Sequence, residues 1–113
     1  MAIAGTTRLA FYSGADPGSP TYEDLISFLG DATYVAGVGT SVAGTGATDI
    51  LGITGMKGKT IVNIEHVYST LMRYEIRFNP LDSTMRIIDL QTGAEAVNGD
   101  YHGTTFIVKV TSK

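Results

Sequence analysis

A regular alternation of apolar and polar residues in the C-terminal half is the feature that most restricts the fold of this chain. In the segment LMRYEIRFNP, the residues Met72, Tyr74, Ile76 and Phe78 alternate with charged residues. A period of two is typical of a β-strand with one face on the core and one in water, so we expect these four side chains to point inward. The turn sequence NPLDS and the segment TMRIIDL follow directly, which predicts a β-hairpin over residues 72–90.

Three further segments have the composition of strands. They are TTRLAFYSG at residues 6–14, TIVNIEHVYS at residues 60–69 and TTFIVKVTS at residues 104–112, and β-branched residues are frequent in them. Several short strands separated by turn residues favour a sandwich or a barrel. We therefore predict a mostly β protein, an antiparallel β-sandwich or small β-barrel, in which residues 1–113 form a single domain.

The segment SPTYEDLISFLGD carries the signals of a helix. Ser19 or Thr21 would cap its N-terminus, and Glu23 and Asp24 would lie in the first turn, where the helix dipole favours negative charge. Gly30 would supply the stop. The apolar residues have helical spacing and are Tyr22, Leu25, Ile26 and Leu29. We predict one short helix at about residues 20–29.

Small residues dominate the chain between positions 36 and 48. Their side chains cannot fill a core, and glycine makes the backbone costly to order. We predict a glycine-rich loop or arm at about residues 36–48, able to lie flat against another surface. Its apolar neighbours are candidate contacts with a neighbouring chain: Tyr34, Val35, Val38, Val42, Ile50 and Leu51. For residues 50–53 the alternative is that the chain re-enters its own core.

The triplet Gly58-Lys59-Thr60 suggests a phosphate-binding loop, but the spacing contradicts it. That motif needs a glycine five residues before the glycine of the triplet, and Ile53 stands there. A helix should then follow, with its N-terminus toward the phosphates, whereas the residues that follow are β-branched and alternating. We predict instead a turn at Gly55 and Gly58, with the neighbouring lysines in solvent.

The remaining polar residues match no catalytic or metal-binding pattern. His66 and His102 are the only histidines and have no metal-ligand spacing between them. We expect His66 to be a hydrogen-bonded core or interface residue and His102 to be exposed in a turn. The chain has no cysteine, and it lacks the Gly-x-Ser-x-Gly nucleophile motif. We therefore expect no catalytic residues, no cofactor, no metal ion and no enzymatic activity.

The net charge and the charged fraction of the chain restrict the kinds of partner that it can be expected to bind. The net charge of −3 argues against direct contact with nucleic acid, which usually requires a basic field. No apolar stretch has the length of a membrane span, and the start lacks the pattern of a signal peptide. We expect a protein made in the cytoplasm. The charged fraction of 17% is low for a soluble domain, which indicates surface hidden against a protein partner.

The C-terminal half resembles small structural proteins of tailed bacteriophages, and capsid decoration (cement) proteins are the most similar group. The resemblance covers about residues 60–113. It lies in the strands YEIRFN and TMRIID, the Glu-x-x-Asn-Gly segment that begins at Glu95, the Gly-x-x-Phe segment that ends at Phe106, and the alternating last strand.

The resemblance implies a mostly β protein without a catalytic site, often a homotrimer, on the outer surface of the virion. Its partner would be the major capsid protein, whose subunit contacts it would stabilise. Alternatives are another virion component, such as a head fibre base, a neck protein or a tail protein, and a small carbohydrate-binding β-sandwich.

Overall fold

The computed structural model describes residues 3–13, 21–53 and 55–113. Within these ranges the chain is mostly β, with antiparallel strands and a single 3-10 turn at Ile50–Gly52. The strands are β1 (Ala4–Ser13), β2 (Tyr22–Leu29), β3 (Thr40–Ser41), β4 (Ile61–Ser69), β5 (Tyr74–Asn79), β6 (Thr84–Asp89), β7 (Ala94–Glu95) and β8 (Thr105–Ser112).

The strands form two antiparallel sheets. The first sheet has the order β1-β2-β8-β4, and the second has the order β3-β6-β5, with β7 also paired to β6. The register of β2 on β8 runs without a shift from Tyr22 opposite Ser112 to Leu29 opposite Thr105. This small β-sandwich-like fold confirms the predicted fold class.

The hydrophobic core lies between the two sheets. Alternate residues of β2 and β8 are fully buried, and the rings of Phe28 and Phe106 stack at a centroid distance of 5.8 Å. The second sheet contributes Ile76, Met85 and Ile87 to the same cluster. Two-residue alternation therefore places the large apolar side chains of both sheets on facing surfaces.

The predicted hairpin is confirmed, with one error at its start. β5 and β6 pair from Tyr74 opposite Asp89 to Asn79 opposite Thr84. Ile76 is buried, whereas the side chain of Met72 is 80% exposed. Met72 does not point inward because the strand begins only at Tyr74 and Met72 lies in the preceding turn.

The other predicted strands are also confirmed. The predictions at residues 6–14, 60–69 and 104–112 correspond to β1, β4 and β8, although residue 14 lies outside the described residues. The glycine-rich region at residues 36–48 consists of turns and bends apart from the two residues of β3, so a loop is present there.

The predicted helix at residues 20–29 is wrong, because Tyr22–Leu29 is strand β2. A short apolar segment fits either period, and its neighbours decide the outcome. Here β1 and β8 lie on both sides of the segment and complete its backbone hydrogen bonds. The possible cap Ser19 lies outside the described residues, and Thr21 precedes the strand without helical structure.

The acidic residue Asp24, expected in a first helical turn, has a different role. Its side chain is fully buried on the inner face of β2 and forms an ion pair with Nε of Arg8 on β1. The Arg8 side chain is only 26% exposed. A buried carboxylate requires such a partner, since an unpaired charge in the core is strongly destabilising.

Replacing Arg8 by methionine should therefore lower the free energy of unfolding by about 3–5 kcal/mol, because Asp24 then stays buried without this cation. Urea denaturation measures the change. The control Arg77→Met removes an ion pair to Glu75 whose arginine is 62% exposed, and it should cost less than about 1 kcal/mol. Equal losses in the two variants would contradict a buried ion pair.

Candidate functional site

Two buried residues attach the glycine-rich loop to the rest of the chain through hydrogen bonds. The first of them is Asp31. Its carboxylate is buried and accepts hydrogen bonds from Thr33 N–H and from the Thr40 hydroxyl, both at 2.8 Å. Its carbonyl oxygen accepts the Tyr101 N–H at 2.9 Å. Asp31 therefore holds the start of the loop, the short strand β3 and the segment before β8 together.

Tyr34 is the second attachment point. Its side chain is 1% exposed, and its hydroxyl donates to Oε2 of Glu95 at 2.6 Å while accepting the Ile87 N–H at 2.9 Å. Its backbone forms an isolated bridge with Gly99. Burial, and then the hydrogen bond to Glu95, raises the pKa of Tyr34 far above its ordinary value. The hydroxyl thus stays a donor at every physiological pH.

Glu95 extends this attachment to the surface of the second sheet. Its Oε2 also accepts the Gly37 N–H at 2.9 Å, and its Oε1 lies 3.5 Å from Nη1 of Arg86. Nη2 of Arg86 lies 2.8 Å from Oδ2 of Asp82. A charged network of Asp82 in the hairpin turn, Arg86 on β6 and Glu95 on β7 therefore holds the loop, through the Tyr34 side chain and the Gly37 backbone.

Gly39 occupies a position that only glycine fits. Its φ is +72°, and a Cβ there would lie 2.6 Å from both the carbonyl oxygen of Met85 and Cδ of Arg86. Gly37 also has a positive φ, of +82°, but a Cβ there would meet no atom within 4 Å. The loop can lie directly on β6 because position 39 has no side chain.

Three of the six candidate contact residues are in the chain's own core. Each is at most 2% exposed, and they are Tyr34, Val42 and Ile50. They offer no surface to a partner in this conformation. For Ile50, the burial agrees with the alternative that the chain re-enters its own core. Leu51 is partly exposed and lines a cavity of about 230 Å³ with Val42 and Lys59.

The remaining two candidates lie on an exposed turn, residues 35–38, which we call the valine turn. Val35 is 37% exposed and Val38 is 44% exposed. The Val35 carbonyl accepts the N–H groups of Val38 and Gly39 at 3.1 and 3.0 Å. The Ala36 N–H donates to Oδ1 of Asn98 at 2.8 Å. Contact of Val35 and Val38 with a neighbouring chain stays a prediction.

Sequence reasoning did not identify Glu95 and Asn98 as the residues that hold the valine turn. A buried tyrosine hydroxyl needs a hydrogen-bond partner, but the sequence analysis placed Tyr34 at a contact with a neighbouring chain and so gave no reason to look for one within this chain. Its identity could not be read, because Glu95 lies 61 residues away along the chain. The Asn98-Gly99 pair carried only a general turn signal.

The two histidines lie in different environments, as expected from the sequence. Nδ1 of His66 accepts the Ile76 N–H at 3.2 Å, and its ring meets Phe106 edge-on at a centroid distance of 6.3 Å. His102 is exposed in a turn. Across the described residues, no group of three or more His, Asp and Glu side chains is placed to hold a metal ion.

The segment around Gly58 has the predicted form. Residues 55–58 form a turn, and strand β4 follows at Ile61. Lys57 is exposed, whereas Lys59 is partly buried with its ammonium 3.9 Å from the centre of the Tyr22 ring. Lys59, which was expected in solvent, is therefore partly covered, because the Tyr22 ring face attracts the cation.

Replacing Gly39 by alanine should lower the free energy of unfolding by about 2–5 kcal/mol, from a strained φ together with the contacts to Met85 and Arg86. Gly37→Ala carries the backbone strain alone and should cost about 1–2 kcal/mol. Thermal or urea denaturation measures the free energy of unfolding of both variants. Similar losses would mean that the loop does not rest on β6 as described.

Burial lowers the pKa of His66 below its ordinary value of 6.5, and the Glu75 carboxylate partly offsets this. Protonation also turns Nδ1 from an acceptor into a donor facing the Ile76 N–H. A His with a lowered folded pKa favours the folded state while neutral, so stability should be constant above about pH 7.5 and fall as the pH drops below about 6.5. The charged groups nearby are Glu65, Glu75 and Arg77, which line the same cavity.

The free energy of unfolding measured between pH 7.5 and 5.5 tests this dependence. His66→Asn keeps an acceptor oxygen near the position of Nδ1 but cannot titrate, so its stability should vary less across this interval. His102→Asn should behave as the unchanged protein does. A slope that survives in His66→Asn would assign the dependence to another group.

Comparisons of the chain with protein-family models, with curated protein sequences and with solved structures give no match. No helix in the described ranges is both long enough and apolar enough to cross a bilayer.

Proposed function

We propose that this protein is a non-enzymatic virion structural protein, a capsid decoration protein of a tailed bacteriophage. In this proposal it binds the outer surface of the head as a homotrimer and stabilises contacts between major capsid proteins. The observation that carries the proposal is the valine turn. It exposes Val35 and Val38 on a segment that Tyr34, Glu95 and Asn98 hold in place.

A prearranged apolar turn suits a binding role. Association must overcome the entropy of ordering loops and side chains, and a turn already fastened to a core avoids much of that cost. The Tyr34 hydroxyl and the Gly37 N–H meet at one oxygen of Glu95, so the turn has little freedom to rearrange. Small side chains beside the valines allow a partner to approach the backbone closely.

The low charge of the chain supports a protein partner in this proposal. With 17% charged residues and a net charge of −3, contact with the DNA inside the head is disfavoured, whereas contact with a protein shell is not. Many copies would bind one particle, and their individually weak contacts would act together. Multivalent attachment of a trimer raises the apparent affinity without any new type of contact.

Introducing aspartate at Val35 and Val38 together should weaken capsid binding by more than about tenfold, because the apolar contacts are lost and charge must be desolvated. Cosedimentation with heads assembled from the major capsid protein encoded in the same genome measures the effect. Both positions are exposed, so the melting temperature should change little.

The matched control is Leu9→Asp, which adds charge at a residue of β1 that is 50% exposed and lies beside a register shift. It should bind heads normally. Light scattering of the unchanged protein should show a trimer. A monomer that is also not retained on heads would overturn the proposed function.

A further inference from the structure

Exposed apolar residues gather where the chain passes from β4 to β5. They are Val67 and Tyr68 near the end of β4, Leu71 and Met72 in the connecting turn, and Leu90 directly after β6. Met72 is 80% exposed, and the other four are each about half exposed. All except Leu71, which precedes Met72 in the turn, line one cavity of about 190 Å³. We call these five residues the turn patch.

Local interruptions of the strands leave the turn patch uncovered. The register of β4 on β8 shifts between His66 and Tyr68, and Val67 is the extra residue at this shift. A bulge of this kind directs a side chain away from the regular alternation of the strand. The turn residues precede β5 and Leu90 follows β6, so the alternation that buries one face of the hairpin ends before it reaches them.

The backbone beneath the turn patch is fixed by hydrogen bonds. The Thr70 N–H donates to the Thr105 carbonyl at 3.0 Å, and Oγ1 of Thr70 accepts the Thr105 N–H at 2.9 Å. The Leu71 carbonyl accepts the Tyr74 N–H at 3.1 Å and closes the turn. The apolar side chains are therefore presented on a prearranged backbone, which reduces the conformational entropy that is lost on binding.

The turn patch has the size and composition of an interface core. Its residues together expose on the order of 500 Å², close to the apolar part of the roughly 800 Å² that each partner buries in a standard interface. Tyrosine and methionine are among the residue types enriched in interfaces, and the turn patch contains Tyr68 and Met72. A single exposed leucine needs no explanation, whereas a group of this size around one cavity indicates contact with another molecule.

The charges at the border of the turn patch favour a second copy of this chain as the partner. Arg73 donates two hydrogen bonds to the Asp89 carboxylate, at 2.9 and 2.7 Å, and Nε of Arg77 lies 3.4 Å from Oε1 of Glu75. Each pair is neutral, so neither selects a partner of opposite charge. Identical patches bring identical charges close together, and this is costly unless each charge is compensated within its own chain. The two ion pairs provide that compensation.

We propose that the turn patch is the surface through which copies of this chain associate. In the assembly, the turn patches of neighbouring copies pack against one another, with the Met72 side chains at the centre of the contact and the Arg73–Asp89 pairs at its border. Closed symmetry repeats the same contact in every copy. This assignment rests on the self-association that the proposed function includes, and it leaves the valine turn for the capsid.

Sedimentation velocity of Met72→Asp tests the contact. Aspartates from neighbouring copies would be buried close together, so the apparent dissociation constant of self-association should rise at least about tenfold. Met72 is exposed in the single chain, so the far-ultraviolet circular dichroism spectrum should not change. The matched control is Leu81→Asp, which adds the same charge at a leucine that is 95% exposed in the turn at the other end of β5. This control should associate as the unchanged protein does.

A single cysteine tests the same contact without adding charge. The chain has no cysteine of its own, so Met72→Cys carries one thiol per copy. Because the Met72 side chains of neighbouring copies meet in the proposed contact, oxidation by diamide should convert two thiols into one intermolecular disulfide. A denaturing gel should then show a cross-linked dimer. Leu81→Cys should run as a monomer after the same treatment.

Head binding and self-association are measured separately, so each result has one meaning. An oligomer that Met72→Asp leaves intact would overturn the turn patch as the contact surface, and so would equal cross-linking of the two cysteine variants. An unchanged protein that is monomeric yet retained on heads would also overturn it, while the capsid role would stand. An oligomer that Met72→Asp dissociates, but that heads do not retain, would support the turn patch and contradict the capsid role.

Discussion

The ladder between β2 and β8 is the interaction on which the rest of this molecule depends. Eight residues of each strand pair without a register shift, from Tyr22–Ser112 to Leu29–Thr105. The outer ladders of the same sheet, β1 on β2 and β4 on β8, both contain shifts. The regular central pair keeps the inner faces in alternation, so the buried side chains of both strands meet those of the second sheet.

That regular ladder also explains a buried charge. Alternation on β2 places Asp24 on the inner face together with Ile26 and Phe28. The carboxylate is tolerated because β1 brings Arg8 to it. Breaking such a pair is costly, but the pair itself adds little over apolar packing. Its value is in register, since a shift of one residue in β1 would separate the two charges.

The valine turn and the junction between β4 and β5 are held in different ways. The valine turn is fastened by buried groups, the Asp31 carboxylate and the Tyr34 hydroxyl, and presents two side chains on a fixed backbone. Between β4 and β5, by contrast, the Ser69 and His66 side chains supply hydrogen bonds where a hairpin would have a backbone ladder. A turn fixed in this way suits contact with another folded surface, because little conformational entropy is left to lose on binding.

Sequence alone determined the β class, the hairpin of β5 and β6, the last strand and the glycine-rich loop. In each of these, a local pattern and its turn residues point to the same answer. Of the candidate site, sequence placed Val35 and Val38 beside small residues on a loop, and both are exposed. The sequence shows a glycine at position 39, but it does not show that this residue must lack a side chain because it lies against β6.

Tertiary structure alone decided the state of Tyr22–Leu29 and the burial of Tyr34, Val42 and Ile50. The segment at 22–29 satisfies both a helical and a strand period, and only the strands on its two sides select between them. Tyr34 is buried because Glu95 and Ile87, more than fifty positions further on, supply its hydrogen bonds. Local patterns record the spacing of side chains along one segment, and they contain no information about which distant segment lies opposite.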